Sequence, residues 1–466
     1  MMRKRVIAGM FTAVMLFLLS ACGGTPDAAE TVTERQAGEE AAQENTKATE
    51  KNEQSQGMDM GASIEETVLV EEEEFKITAM GLEYTGYSVE LNVTIENTSD
   101  EELSFTSGTI GYGSNAINGY MIGDGYMNKD VSAGKKANES ISFSTSELEI
   151  YGITEIADIQ LGIKVQDKDY NDVYVGVSQI KTSIAETYDY SVNTYQEVVR
   201  SGRLEAVSDC SVDYYAEDEL YNQGSIRIIS EVFLTNLDGE QMLLLEVVND
   251  SSDYVYGCTS DISLNGLSVK SGSWSSDAIN PGAHCLVDLS MSSTLDSAYW
   301  DYFGISEIGE IALSFSVDDS EHNEIMAPQE LSIEVSDKTV EVDESGTEVY
   351  QENGIRIISK GIIEDSFRYS NSVHMLFLID NQTNKDLYFD VAYDSLSVNG
   401  YMADQLAYRA GIKAGEKGIL DVEIMGNSLE DIGISGVDEI TDAELIIDIT
   451  NERYDNVAEA SIQVTY

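Results

Sequence analysis

The residues best placed to do chemistry are carboxylates that recur in three short loops. They read Asp167-Lys-Asp169-Tyr-Asn171-Asp172, Asp318-Asp319-Ser-Glu321-His322-Asn-Glu324 and Asp448-Ile-Thr-Asn451-Glu452-Arg-Tyr-Asp455. In the first, Asp167, Asp169, Asn171 and Asp172 offer oxygens at near-alternate positions, as a hard cation requires. The sixth-place glycine and distal glutamate of an EF-hand loop are missing. The expectation is therefore at most weak Ca²⁺ binding, set against a plain polar hairpin tip, and no other cofactor.

Other catalytic groups are sparse. The only histidines are His284, His322 and His374, none in a His-Glu-x-x-His pattern, and no Cys-x-x-Cys pair occurs. No Gly-x-Ser-x-Gly elbow, dinucleotide fingerprint or phosphate loop is present. His374, inside an apolar run, reads as a satisfied strand residue. Paired carboxylates could do acid/base work, but 85 acids make such pairs common everywhere. The sequence thus points away from an enzyme. Cys258 and Cys285 fall in one predicted domain and could pair in an oxidising exterior; buried free thiols are the alternative. Of 26 tyrosines, Tyr112, Tyr120 and Tyr126 gather near one Asn-Gly pair, and Tyr393, Tyr401 and Tyr408 near another. Tyrosine supplies stiff amphipathic contact area, so these are candidate binding residues, with core packing the plainer alternative.

The elements that must carry these residues repeat three times. Each repeat opens with an apolar run: Phe75-Lys-Ile-Thr-Ala, Ile226-Arg-Ile-Ile-Ser or Ile355-Arg-Ile-Ile-Ser. An asparagine turn follows at Asn97, Asn249 and Asn381, then Asn118-Gly119, Asn265-Gly266 and Asn399-Gly400. Later landmarks are Gly134, Gly282 and Gly415, then a polar-started segment and a glycine-led corner at Gly152, Gly304 and Gly436. The order recurs too faithfully for chance, and the period is too long for a solenoid. Strict alternation in Val89-Glu-Leu-Asn-Val-Thr-Ile-Glu96 puts Val89, Leu91, Val93 and Ile95 on one buried strand face. Asn-Gly suits tight hairpins, and the Ser144–Glu147 spacing suggests one capped helical turn. The fold expected is all-β, three tandem immunoglobulin-like β-sandwiches, without the Cys…Trp…Cys pattern of true immunoglobulin domains. The boundaries are 71–185, 225–336 and 354–466 for the sandwiches, with 186–224 a connector and 337–353 a linker. Residues 186–224 could instead supply a strand or helix to the second sandwich.

Before the repeats, Arg3-Lys4-Arg5 precedes an apolar run from Val6 to Leu19 and small residues up to Cys22. That is the layout of a secretory signal, 1–21, too short for a comfortable spanning helix. Leu19, Ser20 and Ala21 before Cys22 resemble the bacterial lipobox, which implies fatty acylation of Cys22 and a lipid anchor on the extracellular face of the cell membrane. Residues 22–70 lack aromatics and apolar periodicity and read as a disordered acidic tether. About 48 such residues span roughly 40 Å. The net charge of -59 repels nucleic acid and anionic headgroups; it suits a solvated surface, or attraction to cations and basic partners.

Ile117-Asn-Gly-Tyr-Met121, Val131-Ser-Ala-Gly-Lys-Lys136 and the acidic closing loop resemble modules of uncharacterised Gram-positive bacterial lipoproteins with repeated β-sandwiches. The resemblance implies fold and location and brings no activity. The functions in view are a non-enzymatic binding or adhesion module with a protein or glycan ligand in the envelope, a structural spacer or envelope-assembly component, and a carboxylate-based hydrolase.

Overall fold

The computed structural model describes residues 58–466 except 60, 109–114, 270–273, 277, 292–296, 339 and 365–370. The expected signal sequence, the lipobox-like Leu19, Ser20 and Ala21, Cys22, and Tyr112 lie outside the described residues, as does the expected tether up to residue 57; its last residues, expected to be disordered up to 70, instead enter the strand Thr67–Glu71.

The described chain is all-β, with only short helices between strands. In the first repeat Thr67–Glu71, Phe75–Tyr84, Ser88–Asn97 and Lys136–Ser144 form a four-stranded antiparallel layer. Val89, Leu91, Val93 and Ile95 point inward, as the alternation requires, onto a core shared with Phe105, Ile159, Leu161 and Ile163 of the facing layer. The same two-layer plan recurs in the later repeats.

The repeats are not separate sandwiches joined by linkers. The second layer of one repeat runs on into the first layer of the next, giving sheets of four, eleven, ten and six strands. Each join is parallel: Tyr120 pairs with His284, and Leu267-Ser268 pairs with Lys417-Gly418.

Residues 186–224 do more than connect. Thr194–Arg200 and Arg203–Ser208 are helical, while Cys210–Ala216 and Tyr221–Gln223 both pair with Ile226–Asn236. Tyr195, Val198, Val199 and Leu204 cluster with Val232, Leu234, Met242 and Leu244. The reason is burial: this sheet is apolar on both faces, and the outward one needs a cover. The stretch expected as the 337–353 linker likewise contains the edge strand Thr347–Glu352, paired with Ile355–Glu364.

The recurring asparagines are clamps. Asn97, Asn249 and Asn381, all buried, donate Nδ2 to two or three carbonyls each; Asn249 binds those of Asp253 and Ile279. Their Oδ1 atoms accept from Ser99, Ser251 and Thr383. Asn118, Asn265 and Asn399 sit at positive φ in their hairpins, and each carboxamide oxygen accepts two backbone N–H groups at the glycine-led corner. Ser144 caps the helix Thr145–Ile150, accepting from Glu147 N, as its spacing predicts.

Candidate binding surface

The acidic closing loops are self-capped hairpin tips. Asp167 Oδ1 accepts from the N–H groups of Asp169 and Asn171, and Asp167 Oδ2 accepts from Asn171 Nδ2. These bonds hold the Asp167 carboxyl below its ordinary range. Asp172 pairs with Lys164 at 3.0 Å. Asp319 and Asn451 cap their own tips in the same way, with His322 and Tyr454 taking the positive φ that Tyr170 takes in the first. Of the four expected cation ligands, Asp167 and Asp172 are therefore engaged by protein donors, and the recurring pattern serves turn geometry.

The histidines stand apart. His322 is at a tip with its ring on Tyr256, and His374 Nδ1 meets Asp421 at 2.9 Å. His284 opens the strand His284–Ser290 and points Nδ1 at Glu246, 2.7 Å away. Cys258 and Cys285 occupy facing layers without a disulfide between them; burial pushes the Cys258 thiol up to about 11.

The join between the first two repeats holds a polar network that the sequence reading did not single out. Buried Glu246 accepts from Ser230 Oγ at 2.6 Å, Asn193 Nδ2 at 2.7 Å, Gln196 Nε2 at 3.0 Å and His284. A carboxylate only accepts, so His284 Nδ1 carries the proton. Burial pushes the Glu246 carboxyl up, but the His284 bond and charge, with the Ser230 and Asn193 bonds, outweigh it and leave it below its usual range. The carboxylate stands between hydroxyl and imidazole. In a nucleophilic triad the imidazole must stand between them, so this order is not that of a Ser-His-acid triad. Tyr120 of the first repeat donates its hydroxyl to Asn193 Oδ1 at 3.1 Å, which ties this network to the first repeat. The network's one sequence sign is the acid interrupting Met242-Leu-Leu-Leu-Glu-Val-Val248.

A cleft of about 610 Å³ in the second repeat is lined by Asp213, Thr235, Trp300, Glu307 and Asp337 among others. Asp213 accepts from Thr235, and Glu307 is paired with Lys338. Beside it, burial pushes Glu231 up to about 7; the Tyr214 hydroxyl opposes this and Asp218 adds to it.

The tyrosines divide by position. Tyr120, a candidate binding residue with core packing as the plainer alternative, is buried against His284, with ring centroids 5.1 Å apart, because the second repeat covers it. Tyr126, Tyr393, Tyr401 and Tyr408 are exposed. In the third repeat the Arg409 guanidinium lies between the rings of Tyr388 and Tyr454, at 4.0 and 3.9 Å. Its hairpins thus carry several exposed tyrosines.

The fold defines an all-β protein of sandwich layers merged end to end. No family model matches the chain, and no curated protein matches it. Among solved structures, it is similar to one described for host cell surface retention of a 1.5-MDa bacterial ice-binding adhesin. Identity there is 12%, over 81% of this chain and 90% of that one, with a TM-score of 0.14. A protein of unknown function from Porphyromonas gingivalis W83 is 14% identical over 49% and 91% of the two chains, TM-score 0.15. An exo-chitosanase from Amycolatopsis orientalis is 6% identical over 87% and 78%, TM-score 0.18. At such scores these likenesses carry no argument about fold or function.

Proposed function

We propose that this chain is a lipoprotein anchored through Cys22 to the outer face of the cell membrane, where it acts as a non-enzymatic binding module. One observation carries the binding half. The recurring polar residues are spent on turns and clamps, while Tyr393, Tyr401, Met402 and Tyr408 stand exposed at the end farthest in sequence from the anchor. Exposed tyrosines supply stiff, amphipathic contact area for a partner. The anchor rests on the lipobox-like Leu19-Ser-Ala-Cys22. A partner is an envelope protein or glycan; nucleic acid is repelled by the charge.

The full-length chain, immobilised and exposed to wall fractions, glycans and envelope proteins, retains a specific partner if this reading holds. No retention of any of them rejects it. Labelling with a radioactive fatty acid tests the anchor: label appears in the wild type and is lost in Cys22→Ala. A second reading, a rigid spacer, draws support from the sheets that run through both joins. It expects cells to need the chain's length and not its exposed tyrosines.

A further inference from the structure

The hairpin after each Asn-Gly pair has a second arm, and in two repeats that arm is filled. In the first, Tyr120 pairs in parallel with His284, whose N–H reaches the Gly119 carbonyl at 2.7 Å. In the second, Leu267 and Ser268 pair in parallel with Lys417 and Gly418. The arriving strand begins each time two residues after a turn glycine, Gly282 or Gly415, and leads with His284 or Lys417. The third repeat builds the same arm, Tyr401–Met402, as the last strand of its sheet. Tyr120 is 4% exposed and Leu267 0%; their counterpart Tyr401 is 61% exposed. Met121 is 5% exposed and its counterpart Met402 is 58%. Tyr401 faces Val398 within the hairpin, so the Gly400 carbonyl and the Met402 N–H are the groups turned outward.

We propose that this open arm takes up, in parallel, a basic extended segment of a partner protein, as the two inner arms take up the next repeat. The proposal rests on the binding reading above and names its site and partner class. Strand addition of this kind draws affinity from main-chain bonds and selectivity from side chains. Charge selects the occupant. No Lys or Arg occurs between Val391 and Tyr408, while Asp394 and Asp404 flank the arm. A second copy of this chain, at -59, is repelled. Its matching first-repeat strand, Lys136–Ser144, also lies in a layer whose outward side chains include Glu90, Asn92 and Thr94 rather than apolar residues.

The test uses the full-length chain and a fluorescent peptide, Gly-Ala-Lys-Val-Lys-Val-Lys-Val, read by anisotropy, with Glu replacing Lys in a control peptide. The Lys peptide binds and the Glu peptide does not. Met402→Pro removes the outward N–H and weakens binding about 10-fold or more, a larger loss than Met402→Ala, which keeps that N–H and removes only side-chain contact. Met402→Lys, a change at an exposed side chain, also weakens the Lys peptide about 5-fold or more by repulsion, and serves if the proline variant misfolds. Equal binding to wild type and both Met402→Pro and Met402→Lys overturns the proposal, as does no binding of the Lys peptide. A dimer in sedimentation that Met402→Lys dissolves also overturns it, in favour of a second copy. If Met402→Lys still retains an envelope partner in the capture experiment, the binding reading stands and this site falls.

Discussion

The two joins share a backbone plan and differ in chemistry. Counting from the clamps Asn249 and Asn381, the position of Glu246 in the first join is Leu378 in the second; counting from the turn glycines Gly282 and Gly415, His284 corresponds to Lys417. The first join is sealed by hydrogen bonds around a buried carboxylate. The second is sealed by Leu376, Leu378 and Ile358 packed into the second repeat's core, with Tyr299 on His374 and Lys417 tied to Glu344. The comparison teaches that parallel pairing sets the register of the join, while the side chains behind it are free to be polar or aliphatic provided they are satisfied or packed.

The difference can be broken from either side. Glu246→Ala has the largest effect, because Asn193, Gln196 and Ser230 lose a buried acceptor and His284 its partner. Urea denaturation should show a loss of about 3–5 kcal/mol. Leu378→Ala at the matching site leaves a cavity and costs about 3 kcal/mol by the same measurement, with no dependence on pH between 5 and 8. The clamps common to both sides give equal losses: Asn249→Ala and Asn381→Ala each cost about 2 kcal/mol, and unequal values would show that one join leans on its clamp more. The smallest effect is expected at Glu231, outside both joins. Its carboxyl is raised from 4.5 to about 7, so the folded state holds the proton more tightly. Stability contributed by the protonated form is complete below 4.5 and is lost as pH rises through about 7. Glu231→Gln should therefore match the wild type at pH 4 and be modestly more stable at pH 8, read from melting temperature.

Much of this architecture was legible in the sequence, for identifiable reasons. Alternation placed Val89 to Ile95 correctly, and the Asn-Gly pairs announced their hairpins, since period and turn chemistry are local signals. The merging of layers was not read, although Met242-Leu-Leu-Leu-Glu-Val-Val248 carried the sign: a strand apolar on both faces is covered on both. Reading 186–224 mainly as a connector followed from overlooking that second face. Asp167 and its neighbours read as a polar hairpin tip or at most a weak cation loop, because oxygens at alternate positions suit both; the structure shows the turn's own hydrogen bonds. Glu246 and His284, 38 residues apart, meet through strand pairing, which spacing does not reveal.

The first repeat's outer layer turns Glu90, Asn92 and Thr94 toward water where the second has Met242, Leu244 and Glu246 and the third has His374, Leu376 and Leu378. That coat of small and charged groups closes the row at one end. An extra unit arising by duplication can be accommodated after the third repeat, where an edge is already waiting. Ahead of the first it would meet a hydrated wall, so an array of this design lengthens in one direction only.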